Sequence, residues 1–341
     1  MLKDLETYLK NVKKADLKKL EESIGSFVVD PSGQTKKYNI RIRKNPAFNS
    51  KSRIVPERES RKIETVSLGF KTTASMDCFF CNPKNKCAKF SKETGLEEQY
   101  YLNDSVAFSN LFTFGKIHGV LVFNYKQHIA DPRGLSVSNW ADGIKIVQKI
   151  GKLSKKKYVS MNVNCGFKAA SSLEHFHSQF NCEDEPFAKT ALAMKLGNKK
   201  YWNSWVKALL EEELVIDFDQ DSKTVLFVEW SPVFGKTELV VMNLENPCFY
   251  KMSEKEALAV AKFLDKAVNI TINNVSDQFN IVNLSASPKD DFCNQFRIFS
   301  RSPSSQGMKS WEGYLELSDE TVPHIIPEKL AEIIRIAEKL K

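Results

Sequence analysis

The sequence has no apolar run long enough to cross a membrane, since no stretch approaches the roughly eighteen apolar residues that a spanning helix needs. Its first residues, Met1-Leu2-Lys3-Asp4, carry no apolar signal region. Cysteine is sparse and odd in number, seven in 341 residues, which does not match the disulfide framework of a small secreted protein. These absences predict a cytoplasmic protein that has no membrane partner.

The chain carries a net charge of +8, which suggests an anionic partner. Much of the excess lies in lysine runs such as Lys155-Lys156-Lys157, and runs of this kind are most often solvated surface. The runs lack interleaved aromatic residues, and no nucleic-acid motif accompanies them. We therefore expect no nucleic-acid partner, and a small phosphorylated substrate explains the sign of the charge equally well.

The apolar content of 42% provides enough material for two linked cores in a chain of this length. Residues 1 to about 25 have the pattern of a polar amphipathic helix, and a basic segment punctuated by prolines follows. The predicted division is an N-terminal helix and basic arm over 1–67, a first unit over 68–190, and a second, degenerate unit with a C-terminal helix over 191–341.

The second half of the chain repeats the order of the first. Phe114-Gly115-Lys116 recurs as Phe234-Gly235-Lys236, and each copy continues into an apolar strand, a helix and further strands whose offsets agree to within one residue. The predicted counterparts of His175, His177 and Gln179 are then Asn294, Phe296 and Ile298. The second copy would keep the scaffold without the histidines. The alternative is that two α+β units merely share a generic order of elements.

Histidine is rare, with five residues in the whole chain, and two of them stand one residue apart after an alternating strand pattern. Residues two apart on a strand face the same way, so His175, His177 and Gln179 project from one face. A neutral imidazole at His177 can attack phosphorus to form a phosphoramidate, and Gln179 can donate a hydrogen bond to the phosphoryl oxygens. The alternative is a pair of strand histidines satisfied by their neighbours.

Three short motifs in the middle of the chain resemble the active-site motif of the galactose-1-phosphate uridylyltransferase branch of the histidine-triad superfamily. They are Asn164-x-Gly166, Ser171-Ser172 and His175-x-His177-x-Gln179. The resemblance implies that His177 takes up a nucleoside monophosphate and that Gln179 steadies the intermediate. It also implies an α+β fold of duplicated histidine-triad-like units, with antiparallel sheets and packed helices.

Four further residues resemble the metal ligands of the same family: Cys78, Cys81, His128 and His175. The resemblance implies a zinc site of two thiolates and two imidazoles, and a four-ligand set with no open position is structural. Zinc bound through His175 would fix the strand that carries His177. The alternative for the cysteine pair is two small buried side chains.

Two loosely matching stretches resemble substrate-binding segments of the family. The arm around Arg58 and Arg61 resembles one whose arginines fork onto nucleotide phosphates, although arginines in a charged arm are commonly solvated. Lys309 and Tyr314 lie in a stretch that resembles the hexose-binding segment. The implied nucleotide-binding and phosphate-binding set is Arg58, Arg61, Asn110, Asn164, Gly166, Ser171, Ser172 and Gln179.

The sequence departs from the family pattern at several positions. Ala170 replaces a glycine of the phosphate loop, and Leu111 stands where uridylyltransferases have an acidic residue after Asn110, which leaves the base open. His118, at a position where histidine-triad proteins often have histidine, is interpreted as packing or as support for a neighbour. Cys165 is interpreted as a small buried residue because no basic partner is indicated beside it.

The predicted function is exchange of a nucleoside monophosphate between a nucleoside-diphosphate sugar and a sugar 1-phosphate through a nucleotidyl-His177 intermediate. The first-choice substrates are UDP-glucose and galactose 1-phosphate, which would place the enzyme in galactose metabolism, and the resemblance implies a homodimer. One alternative is a phosphorylase in which inorganic phosphate accepts the nucleotide from ADP-sugars, GDP-sugars or dinucleoside polyphosphates. Another is a catalytically silent nucleotide-binding protein.

Overall fold

The computed structural model describes residues 2–29, 34–56, 78–234, 237–302, 320–323 and 325–339. The helices in this part of the chain are α1 (Leu2–Tyr8), α2 (Pro83–Lys86), α3 (Val137–Ser154), α4 (Ala188–Leu196), α5 (Lys199–Glu211), α6 (Glu254–Asn274) and α7 (Pro327–Lys339). None of these helices combines the length and apolar character that a membrane span requires.

A small four-stranded sheet lies near the amino terminus. Its strands are β1 (Glu21–Val29), β2 (Thr35–Asn45), β3 (Ser50–Ile54) and β14 (Glu320–Thr321), in that order, with β14 parallel to β3 and the other neighbours antiparallel. The predicted helix to about residue 25 is therefore wrong: α1 ends at Tyr8 and the chain is in β1 from Glu21. Pairing with β2 along the whole of β1 overrides the weak local preference for helix.

The main sheet has ten strands and antiparallel pairing throughout. They are β4 (Gln99–Leu102), β5 (Ser105–Ser109), β6 (Ile117–Val122), β7 (Tyr158–Cys165), β8 (His177–Glu183), β9 (Val215–Asp219), β10 (Thr224–Val228), β11 (Glu238–Asn243), β12 (Phe279–Leu284) and β13 (Gln295–Ser300). Their spatial order is β4-β5-β6-β8-β7-β12-β13-β11-β10-β9, so β7 and β12 meet at the centre.

Helices α3 and α6 pack against each other and against the main sheet. Capping boxes begin both helices, at Ser136 and Ser253. Gly143 of α3 lies so close to Leu121 and Phe123 that a side chain there would crowd them. These contacts cover one face of the sheet with helices, and the opposite face of its first half is available for a site.

Counted outward from the centre, the strands are β7-β8-β6-β5-β4 in the first half of the main sheet and β12-β13-β11-β10-β9 in the second. The two halves have equivalent orders, which agrees with the predicted duplication. The side-chain register differs from the prediction. With the recurring Phe114 and Phe234 motifs as anchor, Val122 corresponds to Met242; Val122 pairs with His177, and Met242 pairs with Gln295. Gln295 therefore occupies the place of His177.

Phe296, the predicted counterpart of His177, lies on the opposite face, where its ring contacts Phe249 with centroids 5.7 Å apart. The sequence comparison was wrong by one residue here, because a one-residue shift on a strand moves every side chain to the other face. The conclusion that the second half lacks the histidines holds with the corrected register. The domain borders at 67 and 190 stay predictions, since 57–77 lie outside the described residues and all ten strands share one sheet.

Candidate active site and metal centre

His177 begins β8 and faces away from the helical layer. It is 4% exposed, and its Nδ1 lies 2.8 Å from the carbonyl oxygen of His175. Because a carbonyl can only accept, Nδ1 carries the proton and Nε2 keeps its lone pair. Burial lowers the pKa of His177, which the hydrogen bond to His175 partly opposes. The residue is therefore a neutral imidazole with an available nucleophilic nitrogen.

Four side chains meet beside the start of β8. The ligand atoms of Cys78, Cys81, His128 and His175 all lie within 4.8 Å of one another. Nδ1 of His175 is 3.5 Å from the sulfur of each cysteine, and Nδ1 of His128 is 3.6 Å from Cys81 Sγ. Tetrahedral zinc, at about 2.3 Å from sulfur and about 2.0–2.1 Å from nitrogen, would hold these atoms about 3.6 Å apart. This group of residues could hold a metal ion.

The hydrogen bonding and pKa values of His175 and Cys81 are compatible with a metal centre. Nε2 of His175 donates to the carbonyl oxygen of Asn124 at 2.9 Å, which leaves Nδ1 unprotonated toward the cysteines. Burial lowers the pKa of His175 to about 4, so the imidazole is neutral. Burial and the adjacent Cys78 raise the pKa of Cys81 to about 11, so two thiolates here need a cation between them.

The turn between the two cysteines also reaches the reactive histidine. Phe80 is buried, and its ring meets the imidazole of His177 edge-on with centroids 4.9 Å apart. Phe80 packs in a small apolar cluster with Val106, Phe108, Val120 and Val122. The turn between Cys78 and Cys81 therefore packs, through Phe80, against His177 at the start of β8 and against the apolar side chains of this cluster.

Gln179 lies two residues after His177 and is held by a buried histidine. Nε2 of His118 is 2.9 Å from Gln179 Oε1 and 3.3 Å from Asn110 Nδ2, and His118 is 2% exposed. When Nε2 donates to Gln179, the amide NH₂ of Gln179 is left for a ligand. The interpretation of His118 as support for a neighbour fits this contact. Burial lowers the pKa of His118, so its imidazole is neutral.

The predicted phosphate loop leaves β7 at Gly166, which has a φ of +84°, a value that favours glycine. A short 3₁₀ turn follows, and Ala170 adopts a left-handed φ of +63°. Ser171 closes the loop, since its amide donates to the carbonyl oxygen of Gly166 at 3.1 Å and its hydroxyl donates to that of Leu173 at 2.8 Å.

The second half of the chain contributes side chains to this loop. Asn280 of β12 donates to Asn164 Oδ1 at 2.7 Å and to the carbonyl oxygen of Ala169 at 2.9 Å. Gln278 accepts from the amide of Lys168 at 3.3 Å. Sequence reasoning missed both residues, because the repeat did not show which strands of the two copies would meet.

The structure brings most of the predicted site together. The start of β8 is surrounded by His177, Gln179, Asn164, the phosphate loop and the cluster of two cysteines and two histidines, and Asn110 contacts His118 next to Gln179. Cys165 is buried, and burial raises the pKa of its thiol well above the usual value, which fits its interpretation as an inert side chain. The remaining predicted residues, Arg58, Arg61, Lys309 and Tyr314, lie outside the described residues.

Comparisons with known proteins bear on the fold. No family model matches the sequence, and no curated protein matches it. An ADP-glucose phosphorylase from Arabidopsis thaliana, solved with bound ADP-glucose, is 16% identical with a TM-score of 0.65 over 86% of this chain and 98% of that one. A GalT-like protein from the same plant is 15% identical with a TM-score of 0.64 over 87% and 98%.

A structure described as a uridylyltransferase is 15% identical, with a TM-score of 0.59 over 88% of this chain and 98% of that chain. The class is thus defined by fold: the chain has the α+β architecture shared by the GalT-like, uridylyltransferase and ADP-glucose phosphorylase structures. The predicted fold class is confirmed.

Proposed function

We propose that this protein is a nucleotidyltransferase that forms a covalent nucleotidyl intermediate on His177. The observation that carries the proposal is the hydrogen bond from His177 Nδ1 to the carbonyl oxygen of His175, which leaves a buried, neutral Nε2 as nucleophile. Gln179 and Asn164 lie beside it on the same face of the sheet, and both carry amides that can donate to a phosphoryl group.

The reaction has two steps that balance. His177 Nε2 attacks the α-phosphorus of a nucleoside-diphosphate sugar, so that a P–N bond forms, the P–O bond to the leaving phosphate breaks, and sugar 1-phosphate departs. An oxygen of the acceptor phosphate then attacks the same phosphorus, the P–N bond breaks, and its electron pair returns to Nε2. The protein contributes position and charge stabilisation, because phosphoryl transfer requires little else.

We further propose that the cysteine–histidine cluster binds structural zinc. The sulfur–nitrogen distances of 3.5–3.6 Å support tetrahedral coordination by Cys78, Cys81, His128 and His175. Zinc would supply rigidity to the start of β8. Because the metal would fix His175, it would also fix the position of His177, which lies two residues further along the chain.

The substrate proposal keeps UDP-glucose and galactose 1-phosphate first, with a homodimer as the expected assembly. One observation favours the phosphorylase alternative. Leu111, which is 74% exposed beside Asn110, stands where the uridylyltransferase pattern has an acidic residue, so one polar contact to a uridine nucleotide is missing. An ADP-sugar or GDP-sugar with inorganic phosphate as acceptor is the second candidate.

Intact-protein mass spectrometry after incubation with UDP-, ADP- and GDP-sugars tests the proposal. We expect the mass of one nucleoside monophosphate to be added, and the base that adds identifies the donor. Galactose 1-phosphate or inorganic phosphate should then remove the label, and whichever does so identifies the acceptor. His177→Ala should abolish the label; a label that persists would overturn the assignment. Tight nucleotide binding without label would favour the silent binding protein.

A further inference from the structure

The seam between the two halves runs beside the phosphate loop. Strands β7 and β12 pair over only three residue pairs, in which Cys165, Asn164 and Val163 face Phe279, Asn280 and Ile281. The paired stretch is the end of β7 from which the loop departs. The second half, although it lacks the histidines, is therefore in direct contact with the part of the site that would surround a phosphoryl group.

Asn280 is held in a single orientation at this seam. It is 6% exposed, and its Nδ2 donates to Asn164 Oδ1 at 2.7 Å and to the carbonyl oxygen of Ala169 at 2.9 Å. Nε of Arg301 donates to Asn280 Oδ1. A guanidinium can only donate and a carbonyl can only accept, so the Asn280 amide cannot be reversed without losing hydrogen bonds.

This orientation determines which end of Asn164 faces the site. Because Oδ1 of Asn164 accepts from Asn280, its Nδ2 remains as a donor for a ligand. Asn164 lies one position beyond the Val163–Ser178 pair, which places it opposite His177 on the same face of the sheet. Its side chain is half-buried, so the amide can meet an anion bound at His177 Nε2.

The direction of the hydrogen bonds also favours an anion. The chain runs from the Arg301 cation through Asn280 to Asn164, so every amide dipole points its positive end toward the site. Hydrogen bonds in such chains polarise one another when they are shielded from water. Asn164 would consequently be a stronger donor to phosphoryl oxygens than an isolated amide.

The start of the loop is supported by Gln278, which directly precedes β12. Gln278 Oε1 accepts from the amide of Lys168 at 3.3 Å, and the Gln278 amide lies directly against Gly166. A β carbon at Gly166 would collide with the Gln278 side chain. The loop therefore folds around a side chain from the second half.

We propose that Asn280 and Arg301 are positioning residues, which orient the Asn164 amide so that it donates to the phosphoryl group transferred to His177. This inference rests on the proposed function and extends it to the half of the chain that has no counterpart of His175 and His177. Asn280 and Arg301 would thus contribute to catalysis by orienting Asn164, without contacting the reacting atoms themselves.

The test is Asn280→Asp, which keeps the shape but cannot donate to Asn164. We expect the single-turnover rate of His177 labelling to fall about 10- to 100-fold, somewhat less than the loss of a direct donor, with KM changed less than about threefold. Asn39→Asp, at an exposed position of β2 in the small sheet, adds the same charge outside the site and should leave the rate unchanged.

A double-mutant cycle separates positioning from general structural damage. In an Asn164→Ala background, Asn280→Asp should lower the rate by less than about threefold, because the group through which it acts is already absent. An equal loss in both backgrounds would overturn the inference, as would a normal rate for Asn280→Asp alone. Arg301→Gln, which keeps a neutral donor, should retain more activity than Arg301→Leu.

A binding measurement distinguishes failure of this inference from failure of the proposed function. If no nucleoside-diphosphate sugar labels the wild type, the proposed function fails, and calorimetric titration with UMP, AMP and GMP takes over as the readout. Asn280→Asp should then weaken binding of the preferred monophosphate at least about tenfold, and only when Asn164 is intact. Unchanged affinity, or no binding of any monophosphate by the wild type, would overturn the inference.

Discussion

The two halves of the main sheet carry different chemistry at corresponding backbone positions. In the first half, Nε2 of His118 lies 2.9 Å from Gln179 Oε1, and both groups are neutral. In the second half the same two places hold Glu238 and Arg297, which form an ion pair with Glu229 as a second carboxylate. Gln179 is half-buried beside an open face, whereas the three charged groups are fully buried.

The covering layer explains why one half is sealed. The rings of Phe48, Trp202 and Phe234 pack on the guanidinium of Arg297, with centroids 4.7, 5.6 and 5.9 Å from its central carbon. Burial raises the pKa of Glu229 above its usual value, which Arg297 opposes. The same arrangement of strands therefore carries two kinds of polar group. In the second half, buried charged side chains form ion pairs beneath aromatic rings, and in the first half, neutral hydrogen-bonding groups are left accessible to an anion.

The largest effect on stability should come from the sealed half. Arg297→Met should lower the free energy of unfolding by about 3–5 kcal/mol, because it leaves Glu229 and Glu238 buried without a counter-charge. Gln179→Leu, the matched change in the first half, should cost less than about 1 kcal/mol but slow His177 labelling about 100-fold. Urea denaturation measures the first quantity. Equal destabilisation by the two variants would show that the halves do not differ in this way.

The proposed zinc site gives the next test, because Cys293 occupies in the second half the place that His175 has in the first. Cys81→Ser should remove the bound metal and lower the free energy of unfolding by about 3 kcal/mol, since lost metal sites are among the most destabilising changes. Cys293→Ser should keep the metal. Elemental analysis of the purified variants measures it, and an unchanged metal content in Cys81→Ser would remove that cysteine from the ligand set.

The smallest effect should come from the contact behind Gln179. His118→Leu should reduce the labelling rate of His177 about 10-fold, because Gln179 loses the donor that fixes its amide, while stability changes little. His118→Gln, which keeps an amide donor, should recover part of the rate. The corresponding change in the second half, Glu238→Gln, should alter stability and leave the labelling rate alone. Single-turnover mass spectrometry measures the labelling rate, and urea denaturation measures the stability. A normal labelling rate in His118→Leu would show that His118 does not position Gln179.

The sequence was sufficient to identify the cysteines and histidines of the site, because these residue types are rare in the chain and have distinctive chemistry. Cys78, Cys81, His128 and His175 are scattered over almost a hundred positions, yet their side chains converge as the resemblance implied. The α+β class was implied by the family resemblance, and the recurring order of strands and helices agrees with it. These features depend on residue type and spacing, which a sequence records directly.

Other features depend on contacts that no local pattern specifies. The helix expected to about residue 25 gave way to β1, because a long-range partner strand decided the outcome. The register of the second copy failed by one residue, which moved Phe296 to the helical side. Asn280 went unnoticed because nothing in its own neighbourhood shows that β12 would lie beside β7.

The short seam between β7 and β12 limits how this chain can be divided. A cut in the connection between β8 and α5 would give a first fragment that contains every histidine and cysteine of the site. That fragment would still lack the wall against which the loop after Asn164 folds, and it would expose the unpaired edge of β7. The first half contains the proposed nucleophile and the cysteine–histidine cluster, but a fragment of that half alone would lack the part of the site that β12 forms.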